Sequence, residues 1–351
     1  PTLNASLGIV KNGDFDNDGD EDLFLGGRQI PGKYGISCPS FILKNDKGIF
    51  KNATKDICPI MTKDFGNVTD ACWLDIDNDS DLDLLIVGEW MPLRVFINDS
   101  YKLVEKTKDF GIENSRGWWN TIAFADFDND GDFDLVAGNA GLNTKFKTSI
   151  QNPFKVYLGD FDKNSSHDIY LSAYDIDGNY YPVRGKQCSS EQMPFINNKY
   201  KTYAEFARSN IENILDGKME NAVIKEVDEF RSVCFENKGG RFEITSLPIE
   251  SQISPIHSFI IIDINSDKLY DIIYCGNYYN REVETTRSDA GIGGVLLNKG
   301  NMNFVHMPFN LTGLKLFRDA REMRVLTVKE KIILLTANNN EILQANQLFL
   351  R

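Results

Sequence analysis

The 351-residue chain predicts an all-β fold assembled from repeated hairpins. Three observations carry that expectation. The first is an aspartate-rich run written five times: Asp14-Phe-Asp16-Asn-Asp18-Gly-Asp20-Glu-Asp22, Asp75-Ile-Asp77-Asn-Asp79-Ser-Asp81-Leu-Asp83, Asp126-Phe-Asp128-Asn-Asp130-Gly-Asp132-Phe-Asp134, Asp160-Phe-Asp162-Lys-Asn164-Ser-Ser166-His-Asp168 and Asp263-Ile-Asn265-Ser-Asp267-Lys-Leu269-Tyr-Asp271. The second is strand-like sequence on both sides, such as Asp70-Ala-Cys-Trp-Leu before and Leu84-Leu-Ile-Val-Gly after, so each run is the tip of a β-hairpin. The third is a further set of short strands with turn signals, seen in Phe41-Ile-Leu-Lys-Asn-Asp-Lys-Gly, Val233-Cys-Phe-Glu-Asn-Lys-Gly-Gly and Val295-Leu-Leu-Asn-Lys-Gly. A unit of roughly 40–60 residues holding about four strands reads as one blade of a β-propeller, and six or seven four-stranded blades are expected.

Along the chain, the runs start at residues 14, 75, 126, 160 and 263. The long interval after the fourth run has room for a blade and an excursion. Within it, Tyr203, Phe206, Ala207, Ile211, Ile214 and Leu215 recur at helical spacing, which predicts a helical insertion over 190–220. Residues 313–349 hold two more strands, 323–328 and 331–337, without an aspartate run. The expectation is a single propeller domain over 1–351. The first ten residues read as the cut edge of a longer or processed chain, since they lack a basic start and a cleavable apolar core.

Aligned by column, the runs separate ligands from scaffold. Positions one, three, five and nine are always Asp or Asn, the side chains that offer hard oxygen donors. Position seven is Asp20, Asp81, Asp132, Ser166 and Leu269; a leucine cannot ligate through its side chain, so a backbone carbonyl is expected there. Position two (Phe15, Ile76, Phe127, Phe161, Ile264) and position ten (Leu23, Leu84, Leu135, Ile169, Ile272) are apolar anchors. Packing carboxylates this closely costs Coulomb energy unless a cation sits among them. Ca²⁺ at up to five sites is the expected cofactor, with all five residues of each run as ligands. An EF-hand is excluded: its position-twelve Glu is replaced by Leu25, Ile86, Ala137, Leu171 and Tyr274, and strands follow instead of a helix.

The formal charge of -13 argues against nucleic acid or an anionic membrane as partner. Five aspartates in each of the first three runs and three in each of the last two account for 21 of the 51 acidic residues. Five bound Ca²⁺ would leave a net charge of about -3. No apolar run long enough for a membrane span is found. Six cysteines without a C-x-x-C, and three scattered histidines, leave no zinc motif. Cys38 and Cys58 flank one outer hairpin, where they could pair or remain buried thiols.

The loops and the Leu-x-x-Gly that follows them resemble the FG-GAP/VCBS repeats of integrin-α-type propellers. Gly88-Glu-Trp-Met-Pro92, Gly117-Trp-Trp-Asn120, Glu191-Gln-Met-Pro194 and Glu282-Val-Glu-Thr285 are further similar to bacterial secreted proteins related to cartilage acidic protein, which often carry an ASPIC/UnbV segment. That resemblance implies an exported location: extracellular, at the outer-membrane surface or in the periplasm.

With the aspartate loops on one face, the opposite face should gather Arg28, Trp90, Arg116, Trp118, Trp119, Asn139, Asn143, Asn277, Tyr278, Glu282, Glu284, Arg287, Asp289, Asp319 and Arg321. Aromatic faces beside arginine, amide and carboxylate suit a glycan or a protein hot spot. The competing reading is that Trp73, Trp90 and one of Trp118 and Trp119 plug gaps between blades. The function expected is a non-enzymatic, calcium-stabilised binding or scaffold propeller recognising a glycan or protein, including as part of an outer-membrane assembly. The alternative is a lyase-like polysaccharide-active enzyme using the Glu282–Asp289 loop.

Overall fold

The computed structural model describes residues 1–281 and 285–349. The chain opens with four antiparallel strands hydrogen-bonded in sequence order: β1 (Leu7–Gly13), β2 (Asp22–Gly27), β3 (Phe41–Asp46) and β4 (Ile49–Asn52). A second sheet repeats the plan with β5 (Asn67–Leu74), β6 (Asp83–Met91), β7 (Arg94–Asn98) and β8 (Leu103–Glu105). Its long β6 also pairs with the two-residue β9 (Gly117–Trp118). The third sheet starts with β10 (Thr121–Ala125) and β11 (Asp134–Gly138) and is then interrupted.

The interruption is itself a sheet. Strands β12 (Phe154–Gly159), β13 (Asp168–Tyr174), β14 (Tyr180–Pro182) and β15 (Val223–Val227) assemble in the order β14-β13-β12-β15. Only then do β16 (Val233–Asn237) and β17 (Phe242–Ser246) return to complete the third sheet, with Leu135 opposite Phe235. The spacing of the aspartate runs predicts one sheet after another, and this nesting departs from it. The returning strand fits because Val233 and Phe235 join the same buried cluster as Leu135 and Ala137.

Two sheets follow: β18 (Ile256–Ile262), β19 (Asp271–Gly276), β20 (Gly294–Asn298) and β21 (Phe304–Met307), then the three-stranded β22 (Ala320–Val328), β23 (Lys331–Asn338) and β24 (Gln344–Leu348). The fold is all-β, with successive antiparallel sheets packed in a propeller-like way. First strands meet first strands, β1 against β5, β5 against β10, β10 against β18 and β18 against β22. Side chains at a bulge near the start of two of these strands tie neighbours together. Asp70 accepts the Ile122 amide at 3.0 Å and pairs with Lys11 at 2.7 Å, while Ser258 accepts the Met323 amide at 3.0 Å.

Separate apolar clusters fill the interfaces between neighbouring sheets, and the second residue of each of the first three aspartate runs belongs to one. Phe15 lies between the first two sheets, Ile76 between the second and third, and Phe127 between the third and the β18–β21 sheet. Burying such a side chain stabilises by about 1.5–3 kcal/mol, so each run is anchored by its own core contact. The glycine that ends the second strand is fixed by close approach. A Cβ on Gly138 would lie 2.6 Å from the Ile256 carbonyl oxygen, and one on Gly276 would lie 1.6 Å from that of Pro255.

Residues 186–215 of the nested segment form four short helices, the longest Lys186–Gln192. They bury Met193, Ile196, Phe206 and Ile214 against Tyr157, Phe161 and Tyr170 of the nested sheet. Cys38 and Cys58 are both buried as unpaired thiols; Cys38 donates to the Ser6 carbonyl at 3.0 Å. No helix among the described residues is long and apolar enough to cross a membrane.

Candidate functional site

All five aspartate runs adopt one backbone conformation. Position four takes φ of 54–62° and position six φ of 69–97° in every copy, whether the residue is Gly, Asn, Ser or Lys. Such left-handed residues curl the chain around a point. The position-one carboxylate then accepts the amides of positions five and six at 2.9–3.3 Å, in all five copies. The position-nine carboxylate closes runs two to five by accepting the position-two amide at 2.9–3.0 Å.

The curl brings carboxylates together. Oxygens of Asp75, Asp77 and Asp83 lie within 4.8 Å of one another, as do those of Asp126, Asp128 and Asp134, and of Asp160, Asp162 and Asp168. In the first run the grouped residues are Asp14, Asp16 and Asp18, where Lys44 pairs with Asp16 and lies 3.3 Å from Asp18. The fifth run has Asn265 at position three, where its amide donates to Asp267 at 2.9 Å, and it forms no such group of three carboxylates.

Electrostatics show what these groups lack. Burial first, with neighbouring aspartates adding to it, pushes Asp22, Asp81 and Asp132 up to about 6 and Asp83 and Asp134 up to about 7, opposed at all of these but Asp81 by backbone amides that donate to them. Four buried oxygens in the first three runs, on Asp16, Asp22, Asp81 and Asp132, have no hydrogen-bond partner among the described residues. An unpartnered buried acceptor is costly, and an all-oxygen set with spare lone pairs fits a hard divalent cation. These clusters could hold metal ions.

Sequence reasoning missed the asparagine at or next to the end of the third strand of four sheets. The backbone amides of Asn45, Asn98, Asn237 and Asn298 donate to the position-nine carboxylates Asp22, Asp83, Asp134 and Asp271 at 2.6–2.9 Å. Three of their side chains reach the previous sheet's run: Asn98 donates to the Phe15 carbonyl at 2.7 Å, Asn237 to Ile76 at 3.4 Å and Asn298 to Phe127 at 2.7 Å. This latch passes over the nested run, whose Asp168 accepts from the Gln192 side chain instead at 3.2 Å. The recurrent Asn before the Asp-Lys-Gly or Lys-Gly turn was the available signal.

Strand register fixes what lies at the other end. Gly13 pairs with Asp22 at the aspartate tip, while Leu7 pairs with Gly27 at the far end; likewise Leu74 with Asp83, and Asn67 with Glu89. The far ends line a cavity of about 360 Å³ with Arg28, Glu89, Asn120, His257, Tyr278, Arg281 and Arg321, and the nested sheet adds Ile169 and Leu171. Arg28 pairs with Glu89 at 2.6 Å, and Tyr34 donates to the same carboxylate at 3.1 Å. Arg321 pairs with buried Asp319 at 2.8 Å and donates to His257 Nε2 at 3.0 Å. Burial, with the Arg321 charge next, holds His257 down at about 3, so its ring is neutral.

Of the ligand-face candidates, Arg28, Trp118, Tyr278 and Arg321 line this cavity, and Asp319 is the ion-pair partner of Arg321. Trp119 is not on that face: it is fully buried in the cluster between the second and third sheets, its indole donating to the Ser115 carbonyl at 3.0 Å. Trp90 is buried too, stacked on Phe154 and donating to Tyr34 at 3.0 Å, so it supports the cavity wall from behind. Asn139 is buried and spent on the backbone, accepting from Trp118 and donating to Glu229. Asn277 likewise donates to Gly291 and Arg318, and Arg116 pairs with Asp228 and Glu226 to fasten β15. Arg287 and Asp289 are exposed and pair with each other at 2.7 Å. Glu282 and Glu284 lie outside the described residues.

Comparison with known proteins adds the following. The family model described as an FG-GAP-like repeat matches residues 14–86 and 75–137. No curated protein matches. Among solved structures, BBS1N in complex with ARL6DN, soaked with lead, is similar at 10% identity over 99% of this chain and 93% of that one, with a TM-score of 0.26. A humanized mutant of the Chaetomium thermophilum Polycomb Repressive Complex 2 bound to the inhibitor GSK126 is similar at 12% identity over 95% of this chain and 65% of that one, with a TM-score of 0.27. Two overlapping repeat matches span the first three aspartate runs and the strands from β2 into β11, so residues 14–137 are an FG-GAP-like repeat region.

Proposed function

We propose that the chain is a non-enzymatic β-propeller that Ca²⁺ stabilises at one end and that binds a glycan or a protein partner at the other. The observation that carries this reading is the set of four partnerless buried carboxylate oxygens within loops of one shared conformation. In this reading five sheets surround an axis as blades, and the nested β12–β15 sheet with its helices is a cap over the far-end cavity. Positions one, three, five and nine of each run would hold the ion, with position seven contributing through its carbonyl. Bound Ca²⁺ supplies positive charge that lets buried carboxylates remain ionised; Asp83 and Asp134 orient the loop, and Asn98, Asn237 and Asn298 pass its rigidity to the next sheet. Extracellular calcium modules bind at about 10⁻⁴–10⁻³ M, which agrees with an exported protein at a cell surface or in the periplasm, including as part of an outer-membrane assembly related to cartilage-acidic-protein-like secreted proteins.

Thermal melting of chelator-treated protein, with and without added Ca²⁺, tests the metal half of the reading. A ligand that binds only the folded state raises the melting temperature by mass action, and an unmoved curve would contradict the assignment. A glycan array read together with product analysis tests the binding half. Retained, unaltered sugar agrees with it, and cleavage products overturn it.

A further inference from the structure

The far-end cavity has a chemical polarity that the aspartate tips lack. We propose that it is a recognition site for an acidic sugar, a pyranose ring carrying a carboxylate or sulfate, gripped by Arg281 and Arg321 over Tyr278 with Trp118 beside them. This rests on the binding reading above and narrows it to a ligand class.

The cavity holds unmet hydrogen-bonding capacity. Among the described residues, two buried side-chain nitrogens lack a partner, Trp118 Nε1 and Arg281 Nε, and both residues line this one cavity. Both atoms are donors, so the missing partner is an acceptor. An indole N–H and a guanidinium in a largely apolar pocket are costly to leave unpaired, and guanidinium geometry matches carboxylate and sulfate.

Charge points the same way. The guanidiniums of Arg281 and Arg321 lie 5.5 and 4.9 Å from the centre of the Tyr278 ring, which holds two cations beside one aromatic. Arg321 has Asp319 as its counter-charge and Arg28 has Glu89. The buried Nε of Arg281 has no hydrogen-bond partner among the described residues, and burial disfavours the charged form of the guanidinium. An incoming oxyanion would offset that cost. His257, being neutral, competes with none of this.

Shape then limits the ligand. At about 360 Å³ the cavity is at the small end of the range for organic ligands, about 300–1,000 Å³, which suits one or two sugar rings and not a folded protein. Tyr278 is 37% exposed, so a face remains for a ring to lie against. Its position is fixed by paired backbone bonds with Ser288 at 2.7 and 2.9 Å.

Calorimetric titration of the calcium-loaded full chain with three disaccharides of equal size, one uronate, one sulfated and one uncharged, tests the proposal. The expected result is binding of a charged disaccharide that weakens as salt is raised, with no heat from the uncharged one. Arg281→Ala should weaken it about tenfold or more, as for a lost charged hydrogen bond, and Arg281→Lys should recover part of the loss. Both variants should stay folded, with melting temperatures within a few degrees of the parent, because the described contact of Arg281 is with the Tyr278 ring and its Nε is without a partner. Preference between uronate and sulfate tells which oxyanion the site takes. Equal affinity for the uncharged disaccharide, or indifference to Arg281→Ala, overturns the proposal while leaving a binding propeller intact. Silence from all three, with a different glycan or protein captured at this face, overturns it in the same way; no captured ligand of any kind defeats the broader reading as well.

Discussion

The two ends of the same strands have opposite needs. At the aspartate tips the partnerless buried carboxylate oxygens are on Asp16, Asp22, Asp81 and Asp132; the two partnerless buried side-chain nitrogens among the described residues, on Trp118 and Arg281, both line the far-end cavity. The tips lack a donor or cation for these oxygens, and the cavity lacks an acceptor for these two nitrogens. The tips are also repeated, with one backbone conformation in five places, whereas the cavity is built once from residues that share no motif. In the proposed reading, repetition marks what stabilises the fold, and singularity marks what selects a partner.

The comparison predicts different costs at the two ends. The largest belongs to Asp134→Ala, which removes the acceptor of both the Phe127 and Asn237 amides as well as a grouped carboxylate. A loss of about 3 kcal/mol in calcium, measured by denaturant unfolding, is expected for stranding buried amides beside a lost charge. Asn265→Ala in the fifth run should cost less, because it removes a neutral donor from an exposed loop. Next comes Asn298→Ala, which cuts the bonds to the Phe127 and Tyr270 carbonyls between neighbouring sheets. About 1–2 kcal/mol is expected there, in calcium or in chelator alike. Equal losses at Asp134 and Asn265 would show that loop packing, not cation charge, dominates the tips.

A smaller effect separates the ends by pH. Asp83 and Asp134 have folded values near 7, above the roughly 3.9 of an unfolded aspartate. A carboxylate raised in the folded state favours folding below its unfolded value, and that contribution is lost as pH rises through the folded one. Demetallated protein should therefore melt progressively lower between about pH 4 and 7. Saturating Ca²⁺ should remove that decline, since the ion favours the ionised form; a decline of equal size with and without Ca²⁺ would show that the ion does not reach these groups. The smallest change in stability is expected from Trp118→Phe, which removes an N–H with no described partner and keeps the ring packed on Phe154 and Phe230.

Much of the tip chemistry was legible because it resides in side chains at fixed spacing. The columns of Asp and Asn, and the apolar position two that enters each core, need no tertiary knowledge to read. The latch of Asn98, Asn237 and Asn298 was harder to find, since the same asparagines also read as ordinary turn residues. Nesting was not legible. Pairing of Leu135 with Phe235 is a long-range contact that no local pattern encodes, so the fourth run looked like the start of another sheet in line. Trp118 and Trp119 show a similar limit. Adjacent residues in extended chain face opposite ways, so one tryptophan had to enter the core, but only the packed neighbours decide that it is Trp119.

Anomalous diffraction from crystals soaked with a lanthanide and with bromide tests the opposition of the two ends most directly. The account predicts lanthanide peaks among Asp75, Asp77 and Asp83 and among Asp126, Asp128 and Asp134, and a bromide peak beside Arg281 and Trp118. Lanthanide absent from both of those tips, or bromide absent from the cavity while occupying other sites, would contradict it.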